Sequence, residues 1–170
     1  MRMNKKVAVL AVAGVTFVGA GTAYAYWTAT GTGSATAAVG TAANNLVLTG
    51  ASDTTALTPN GPTSFVSFTA KNPATSNQRI TKIHLVSVAA KTPSGTSVSG
   101  CGTVNDGASA NTGSADFYMA DVVPTLGDGD ILKGATAQGL AAKGTLLMND
   151  TTSDQEACKS AVLTLTFSTS

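Results

Sequence analysis

The amino-acid sequence predicts an all-β protein, folded as an antiparallel β-sandwich of about seven short strands. Three observations support this prediction. Apolar and polar residues alternate with a period of two in several short runs, as half-buried strands require. Segments rich in Gly, Pro, Asn and Asp separate these runs. Threonine, whose branched Cβ packs well on a pleated surface, supplies 25 of the 145 residues that follow residue 25.

Six runs are expected to form strands, at residues 45–50, 63–72, 79–88, 115–123, 144–150 and 160–170. The last run has the clearest alternation and the second has an aromatic residue, Phe65, on its outer face. Because residues two apart in a strand share a face, the pattern also predicts which side chains enter the core. They are Leu46, Leu48, Val66, Phe68, Ala70, Ile83, Leu85, Leu163, Leu165 and Phe167.

Two short helical turns are also expected. Residues 136–144 could form one, although Gly139 weakens it. Residues 153–156 match a capping box, with Ser153 at the N-cap and Glu156 three positions later. This second turn would bring Cys158 into place before the last strand.

The first 25 residues have the pattern of a secretory signal peptide. The first six residues carry three basic groups and no acid, and residues 7–25 carry no charge. The run ends in Ala-Tyr-Ala, which predicts cleavage between Ala25 and Tyr26. The alternative is a retained anchor, since 19 uncharged residues are nearly enough to cross a bilayer. Either interpretation predicts an exported protein, secreted or held at the cell surface, with membrane contact only through an uncleaved signal segment.

Composition divides the remainder of the chain in two. Residues 26–45 are mostly small and polar, which predicts a flexible N-terminal segment before a β-sandwich domain at residues 46–170. After residue 25 the chain keeps seven basic and nine acidic groups, a formal net charge of −2, with no cluster of Lys or Arg. Because nucleic-acid binders need a basic surface, we expect no nucleic-acid partner.

Cys101 and Cys158 are the only cysteines. In an exported chain an even number of cysteines indicates a disulfide. The bond would close a loop of 56 intervening residues, which on the chain-entropy view stabilises the fold by about 4 kcal/mol. The alternatives, free thiols or metal ligands, need further ligands that the sequence hardly offers.

No motif for catalysis or for metal binding is complete. His84 is the only histidine, so an H-E-x-x-H zinc site is excluded, and no serine lies in a G-x-S-x-G turn. An EF-hand count from Asp128 fails, because Leu132 and Gly139 fall where oxygen ligands are needed. A two-carboxylate surface site for calcium is left open there. The sequence thus predicts no enzyme activity, no resident metal and no cofactor, with His84 on the polar face of a strand.

Several segments resemble a known family. The segment "GTAYAYWT" at residues 21–28, followed by "NLVLTG", "LTPNGP" and "FVSFTAKNPATSNQRITKI", is similar to the TasA and camelysin group of exported proteins, which have SipW-type signal peptides. The resemblance covers residues 1 to about 85. It implies an immunoglobulin-like sandwich behind the signal, and a role in matrix fibres. Some members of the group are described as metalloproteases, but this chain lacks such a ligand set. The C-terminal half, with "DQEACKSAVLTLTF", resembles uncharacterised secreted proteins of actinobacteria.

The functional expectation is a secreted, non-enzymatic structural protein of the cell surface or extracellular matrix. In its fibre-forming version the segment that starts at Tyr26 docks as an extra strand on a neighbour, with Tyr26 and Trp27 as anchors. In the simpler version these two aromatic residues pack on their own domain or fray. The alternative function is a secreted binding module for a carbohydrate or another cell-wall component, using residues 91–116 and 124–144. The expected partners are therefore a second copy of the chain or a cell-wall component.

Overall fold

The computed structural model describes residues 35–38, 46–53 and 55–170. The regular structure of these residues consists of nine β-strands and one short 3₁₀ helix, which spans Glu156–Cys158. The strands are β1 Ala35–Ala38, β2 Val47–Ser52, β3 Ser64–Lys71, β4 Gln78–Arg79, β5 Ile83–Lys91, β6 Phe117–Met119, β7 Asp130–Ile131, β8 Gln138–Met148 and β9 Val162–Thr169. The predicted signal peptide lies outside the described residues.

The strands form three antiparallel sheets, which confirms the all-β, antiparallel prediction. A five-stranded sheet has the order β1-β2-β3-β8-β6, while β5 pairs with β9 and β4 pairs with β7. The described strands number nine rather than about seven, because β4 and β7 are two-residue strands too short to show an alternating pattern. β1 falls within the segment that the sequence predicts to be flexible. In the described part of the chain, no helix is long and apolar enough to cross a bilayer. The likeness to an immunoglobulin domain stays a prediction.

One hydrophobic core lies between the five-stranded sheet and the β5–β9 sheet. Val66, Phe68 and Ala70 of β3 are buried, and the alternating burial of β9 is as predicted. The ring of Phe68 meets the ring of Phe167 from β9 edge to face, with centroids 5.3 Å apart. Since these strands belong to different sheets, this contact shows that the two buried faces pack against each other.

The sequence correctly predicts the faces of the strands but misplaces some of their ends. The run at residues 79–88 is divided, with Arg79 ending β4 and β5 running from Ile83 to Lys91, while the run at 115–123 gives the three residues of β6. The expected helical turn at residues 136–144 is wrong. That segment is the first part of β8, the longest described strand, and it pairs with β3 across a bulge between Ser67 and Thr69.

The capping box is also wrong, although the turn itself is present. The 3₁₀ helix begins at Glu156 and has no side-chain cap on its N-cap residue. The carboxylate of Asp154, rather than Ser153, accepts the Glu156 N–H, at 2.9 Å. The turn brings Cys158 to a buried position before β9, as the sequence predicts.

The two sheets approach closely at Gly50 and leave no room for a side chain there. Gly50 lies on β2 opposite Phe68, and a Cβ built on it would come within 2.5 Å of the Phe167 ring. By contrast, a Cβ on Gly139 of β8 would meet no atom within 4 Å. The two glycines therefore form a matched pair for testing the packing between the sheets.

We expect Gly50→Ala to lower the free energy of unfolding by about 1–3 kcal/mol, because the Phe167 ring must move out of its packed position. Gly139→Ala should be neutral or stabilising by up to about 1 kcal/mol, because it only restricts the unfolded chain. Urea unfolding of both variants measures the difference. Equal unfolding midpoints for the two variants would contradict this account of the interface.

Candidate functional site

A disulfide joins Cys101 to Cys158, with Cα atoms 5.1 Å apart, and confirms the predicted pairing. Cys158 is buried in the core and Cys101 is half-buried. The bond connects two segments that each run between the sheets: the connection from β5 to β6, which holds Cys101, and the 3₁₀ turn between β8 and β9, which holds Cys158. Disulfides persist in oxidising surroundings, so this bond points to folding outside a reducing cytosol.

The carboxylate of Asp116 lies beside the disulfide and is also buried. One oxygen accepts the N–H of Gly102 at 2.9 Å and both the N–H and the hydroxyl of Thr103. The other accepts the side-chain amide of Gln155 at 3.0 Å. Burial by itself raises the pKa of the Asp116 carboxyl, but these donors outweigh it and hold the pKa below its usual value.

The side chains at this junction resemble a set of metal ligands. One ligand atom from each of Cys101, Asp116 and Cys158 lies within 4.8 Å of the others. However, both sulfurs are bonded to each other, and metals bind the thiolate form. Four donors already occupy the Asp116 oxygens. In its oxidised form this cluster is therefore a structural junction between loops.

The junction extends through a chain of side-chain amides. The side-chain amide of Gln155 also donates to the carbonyl of Asn149, and Asn149 donates to the carbonyl of Ala115 at 2.7 Å. Asn111 donates to Asn149 at 2.7 Å. Asn149 begins an N-x-T sequence, but its amide is buried in this network. The folded protein therefore does not present this amide for glycosylation.

A second polar cluster surrounds His84 on the outer side of β5. The Nδ1–H of His84 donates to one oxygen of Asp121 at 2.6 Å, and Lys82 lies 3.2 Å from the other oxygen. Asp106 lies 3.9 Å from the same ring nitrogen. Burial raises the pKa of the Asp121 carboxyl, but the hydrogen bonds from His84 and Lys82 hold it below its usual value.

This cluster contains some of the parts of a hydrolytic triad. Ser168 lies directly opposite His84 in the β5–β9 register, and both line an open depression of about 390 Å³. The carboxylate of Asp121 orients the His84 ring. Within the described residues, however, Ser168 makes no hydrogen bond to the ring, and catalysis needs that contact. The hydrogen bond from His84 connects β5 to the segment after β6 that holds Asp121.

The acidic residues of the candidate calcium loop, Asp128 and Asp130, also interact with other groups of the protein. Asp128 accepts the N–H groups of Ala141 and Ala142, at 2.5 and 3.0 Å. Asp130 lies 3.9 Å from Arg79 on the paired strand. Asp128 thus binds the backbone of β8 beside the bulge in its pairing with β3. This contact gives a structural role to a residue that the sequence left open as a calcium ligand.

Some predicted site residues lie outside the described part of the chain. They are the cleavage-site residues Ala25 and Tyr26 and the proposed assembly anchors Tyr26 and Trp27. The sequence predicts the disulfide but gives no sign of the Asp116 and Asp121 clusters. Their partners lie between 13 and 39 residues away along the chain, with no motif to connect them.

The fold and the site define a class: a disulfide-bonded, antiparallel β domain whose carboxylates, with Asp116 buried among them, bind its loops and strand ends. Comparisons with family models, with curated proteins and with solved structures find no match for this chain. Function is therefore inferred from the residues and their geometry.

Replacing both cysteines, as Cys101→Ala with Cys158→Ala, should lower the free energy of unfolding by about 2–4 kcal/mol, because the loop is no longer closed in the unfolded state. Urea unfolding measures the loss. Reduced wild-type protein should match the double variant, and adding reductant to the variant should change nothing. A wild-type midpoint that reductant leaves unaltered would contradict a stabilising role for the bond.

Stability should fall as the pH is lowered from about 4. Asp116 and Asp121 have folded-state pKa values below the usual 3.8, and Asp53 has a pKa of about 2, chiefly through its hydrogen bond from Ser64. A lowered pKa stabilises the fold above the unfolded value, and that contribution is lost as the pH falls through the folded value.

Urea midpoints measured from about pH 6 to about pH 2 test this sign. Asp116→Asn should be less stable than wild type at neutral pH by about 2 kcal/mol, because an amide cannot accept all of the donors. It should also lose less stability on acidification. Asp150→Asn, at an exposed acid, is the control and should follow the wild-type profile. Parallel profiles for Asp116→Asn and wild type would refute the role of this carboxylate.

Proposed function

We propose that the protein is a secreted, non-enzymatic structural protein of the cell surface or extracellular matrix. The observation that carries the proposal is the Cys101–Cys158 disulfide, built into the junction around Asp116. A disulfide that joins the two connections between the sheets fits a chain that folds in an oxidising compartment. The basic, then apolar pattern of residues 1–25 supports export by the same route.

The use of the reactive side chains supports a structural role. Asp116 and Asp128 bind backbone N–H groups, and Asp53 does so as well. The only histidine in the chain is tied to Asp121. A catalytic base needs a position from which it can reach a substrate proton, whereas these groups are engaged by hydrogen bonds within the protein.

The exterior of the sheets supports self-association. Charged residues make up 11% of the chain, and the outer faces carry short hydroxyl side chains. The exposed examples are Thr49, Ser67, Thr69, Ser87, Thr145 and Thr166. A small net charge does little to keep copies of a protein apart, so such faces can approach closely.

We further propose that assembly uses the N-terminal segment. β1 pairs with β2 at the edge of the five-stranded sheet, with Ala35 opposite Gly50. The backbone groups of an edge strand can pair with any extended chain, including one from another copy. In the fibre-forming version the segment beginning at Tyr26 docks on a neighbour in this way, and Tyr26 and Trp27 anchor it.

Recovery of the protein from culture medium, followed by N-terminal sequencing and sedimentation, tests this proposal. We expect a chain that starts at Tyr26 and forms sedimenting assemblies. Deletion of residues 26–34, which keeps β1, should leave the protein monomeric, because the docking segment is gone. Tyr26→Ser combined with Trp27→Ser, which keeps the length of the segment, should weaken assembly by about tenfold or more through the loss of aromatic contacts. Normal assembly of the deletion variant would rule out docking by this segment.

The alternative is a secreted binding module for a carbohydrate or another cell-wall component. One observation favours it: a depression of about 470 Å³ beside the disulfide, whose lining residues include Thr103, Ser114 and Asp154. Pull-down on purified cell-wall glycans separates the two functions. Saturable binding by monomeric protein that is reduced by Ser114→Trp, which fills the depression, would support the binding module.

A further inference from the structure

The outer face of the five-stranded sheet carries an apolar patch. The side chain of Phe65 on β3 is 53% exposed and lies directly opposite Thr145 of β8. Leu147 is half-buried, two positions farther along the outer face of β8, and lies opposite Tyr118 of β6. Val123, which is 69% exposed, shares a shallow depression with Thr145. We call Phe65, Val123, Thr145 and Leu147 the Phe65 patch.

The patch differs from the rest of that face. Ser67 and Thr69, the next outward residues of β3, are small and polar, as is Thr49 opposite Thr69 on β2. The Phe65 ring does not pack in the core, which is supplied by Val66 and Phe68. The register makes Phe65 and Leu147 diagonal neighbours across β3 and β8, and exposed apolar side chains that lie together in this way are typical of a surface that something covers.

The path of the chain indicates what covers it. Ala35 lies opposite Gly50 and Gly50 lies opposite Phe68, so the chain upstream of Ala35 leads toward the Phe65 end of β3. Continued in register, residue 32 would be level with Phe65 and two strands away, a distance of about 10 Å. Trp27 comes five residues earlier, and five extended residues span about 17 Å. The segment is therefore long enough to reach the patch.

The chemistry of the segment matches the patch. Residues 26–34, "YWTATGTGS", carry no charge, and their two large aromatic residues come first. Aromatic rings pack favourably against one another beyond the area that they bury. The Thr, Gly and Ser residues that follow are small enough to cross a sheet face that carries Ser and Thr side chains and Lys143.

We propose that residues 26–34 cross the outer face of their own five-stranded sheet and that Tyr26 and Trp27 cover the Phe65 patch. This inference shares with the proposed function only the use of residues 26–34, and it does not require that the protein assembles. It adds a regulatory step, because a segment docked on its own domain must be released before it can pair with a neighbour. Docking within a monomer and assembly between copies are measured separately.

Trp27 is the only tryptophan in the chain, so intrinsic fluorescence reports its surroundings directly. Protein recovered from the medium is measured at concentrations at which a sizing column shows a monomer. Trp27 should emit at shorter wavelength than tryptophan in water. Phe65→Thr should move the emission to longer wavelength and raise the acrylamide quenching constant about threefold, since the ring contributes most of the apolar contact. Threonine keeps the strand propensity at this exposed position.

The matched control is Val86→Thr. Val86 is 51% exposed, like Phe65, but lies on β5 in the other sheet, at the β5–β9 bulge. Its substitution should leave both fluorescence readings unchanged, and urea midpoints verify that both variants are folded. Water-like emission from Trp27 in the wild type, or equal quenching in wild type and Phe65→Thr, would overturn the inference. Protection that appears only as concentration rises would also overturn it, because the occupant would then be a second copy.

Loss of sedimenting assemblies alone, with Trp27 still protected in the monomer, would count against the proposed function while supporting this docking site.

Discussion

The structure depends on the junction where the Cys101–Cys158 disulfide and the Asp116 carboxylate meet. The carboxylate binds the loop that follows Cys101, and through Gln155 it also binds the turn that holds Cys158. The covalent bond and the hydrogen bonds thus join the same two segments. One leads toward β6 of the five-stranded sheet and the other leads into β9 of the facing sheet. Both segments run between the two sheets, from β5 to β6 and from β8 to β9, so the junction ties the two connections to each other beside the core.

Carboxylates have a similar task elsewhere in this sparsely charged chain. Asp53 binds the start of β3, Asp121 connects β5 to the neighbouring loop, and Asp128 binds two N–H groups of β8. Each of these carboxylates accepts hydrogen bonds from donors at the end of a strand, at a β-bulge or in a loop. Buried donors without an acceptor are costly to the folded state. The strands therefore supply the core, and the acids hold the irregular segments to it. This division of labour is consistent with the structural role proposed above.

The sequence predicts the parts of the fold that depend on local pattern. Alternation identifies the buried faces of β3 and β9, and the even cysteine count identifies the disulfide. It fails at residues 136–144, where Ala and Gly show no clear period and pairing with β3 decides the conformation. It also fails to find the Asp116 junction, because its donors come from loops brought together only by folding. Likewise, only the folded structure shows that Asp121 binds His84, because the two residues are 37 positions apart in the sequence.

Amide hydrogen exchange at Gly102 and Thr103 tests the central claim most directly. If the junction holds the two sheets together, both N–H groups exchange only when the whole domain unfolds, although they lie in a loop. Reduction of the disulfide should then speed their exchange far more than exchange at β3, whose ladder stays intact. Rapid exchange of both amides in the oxidised protein, or equal protection before and after reduction, would contradict the account.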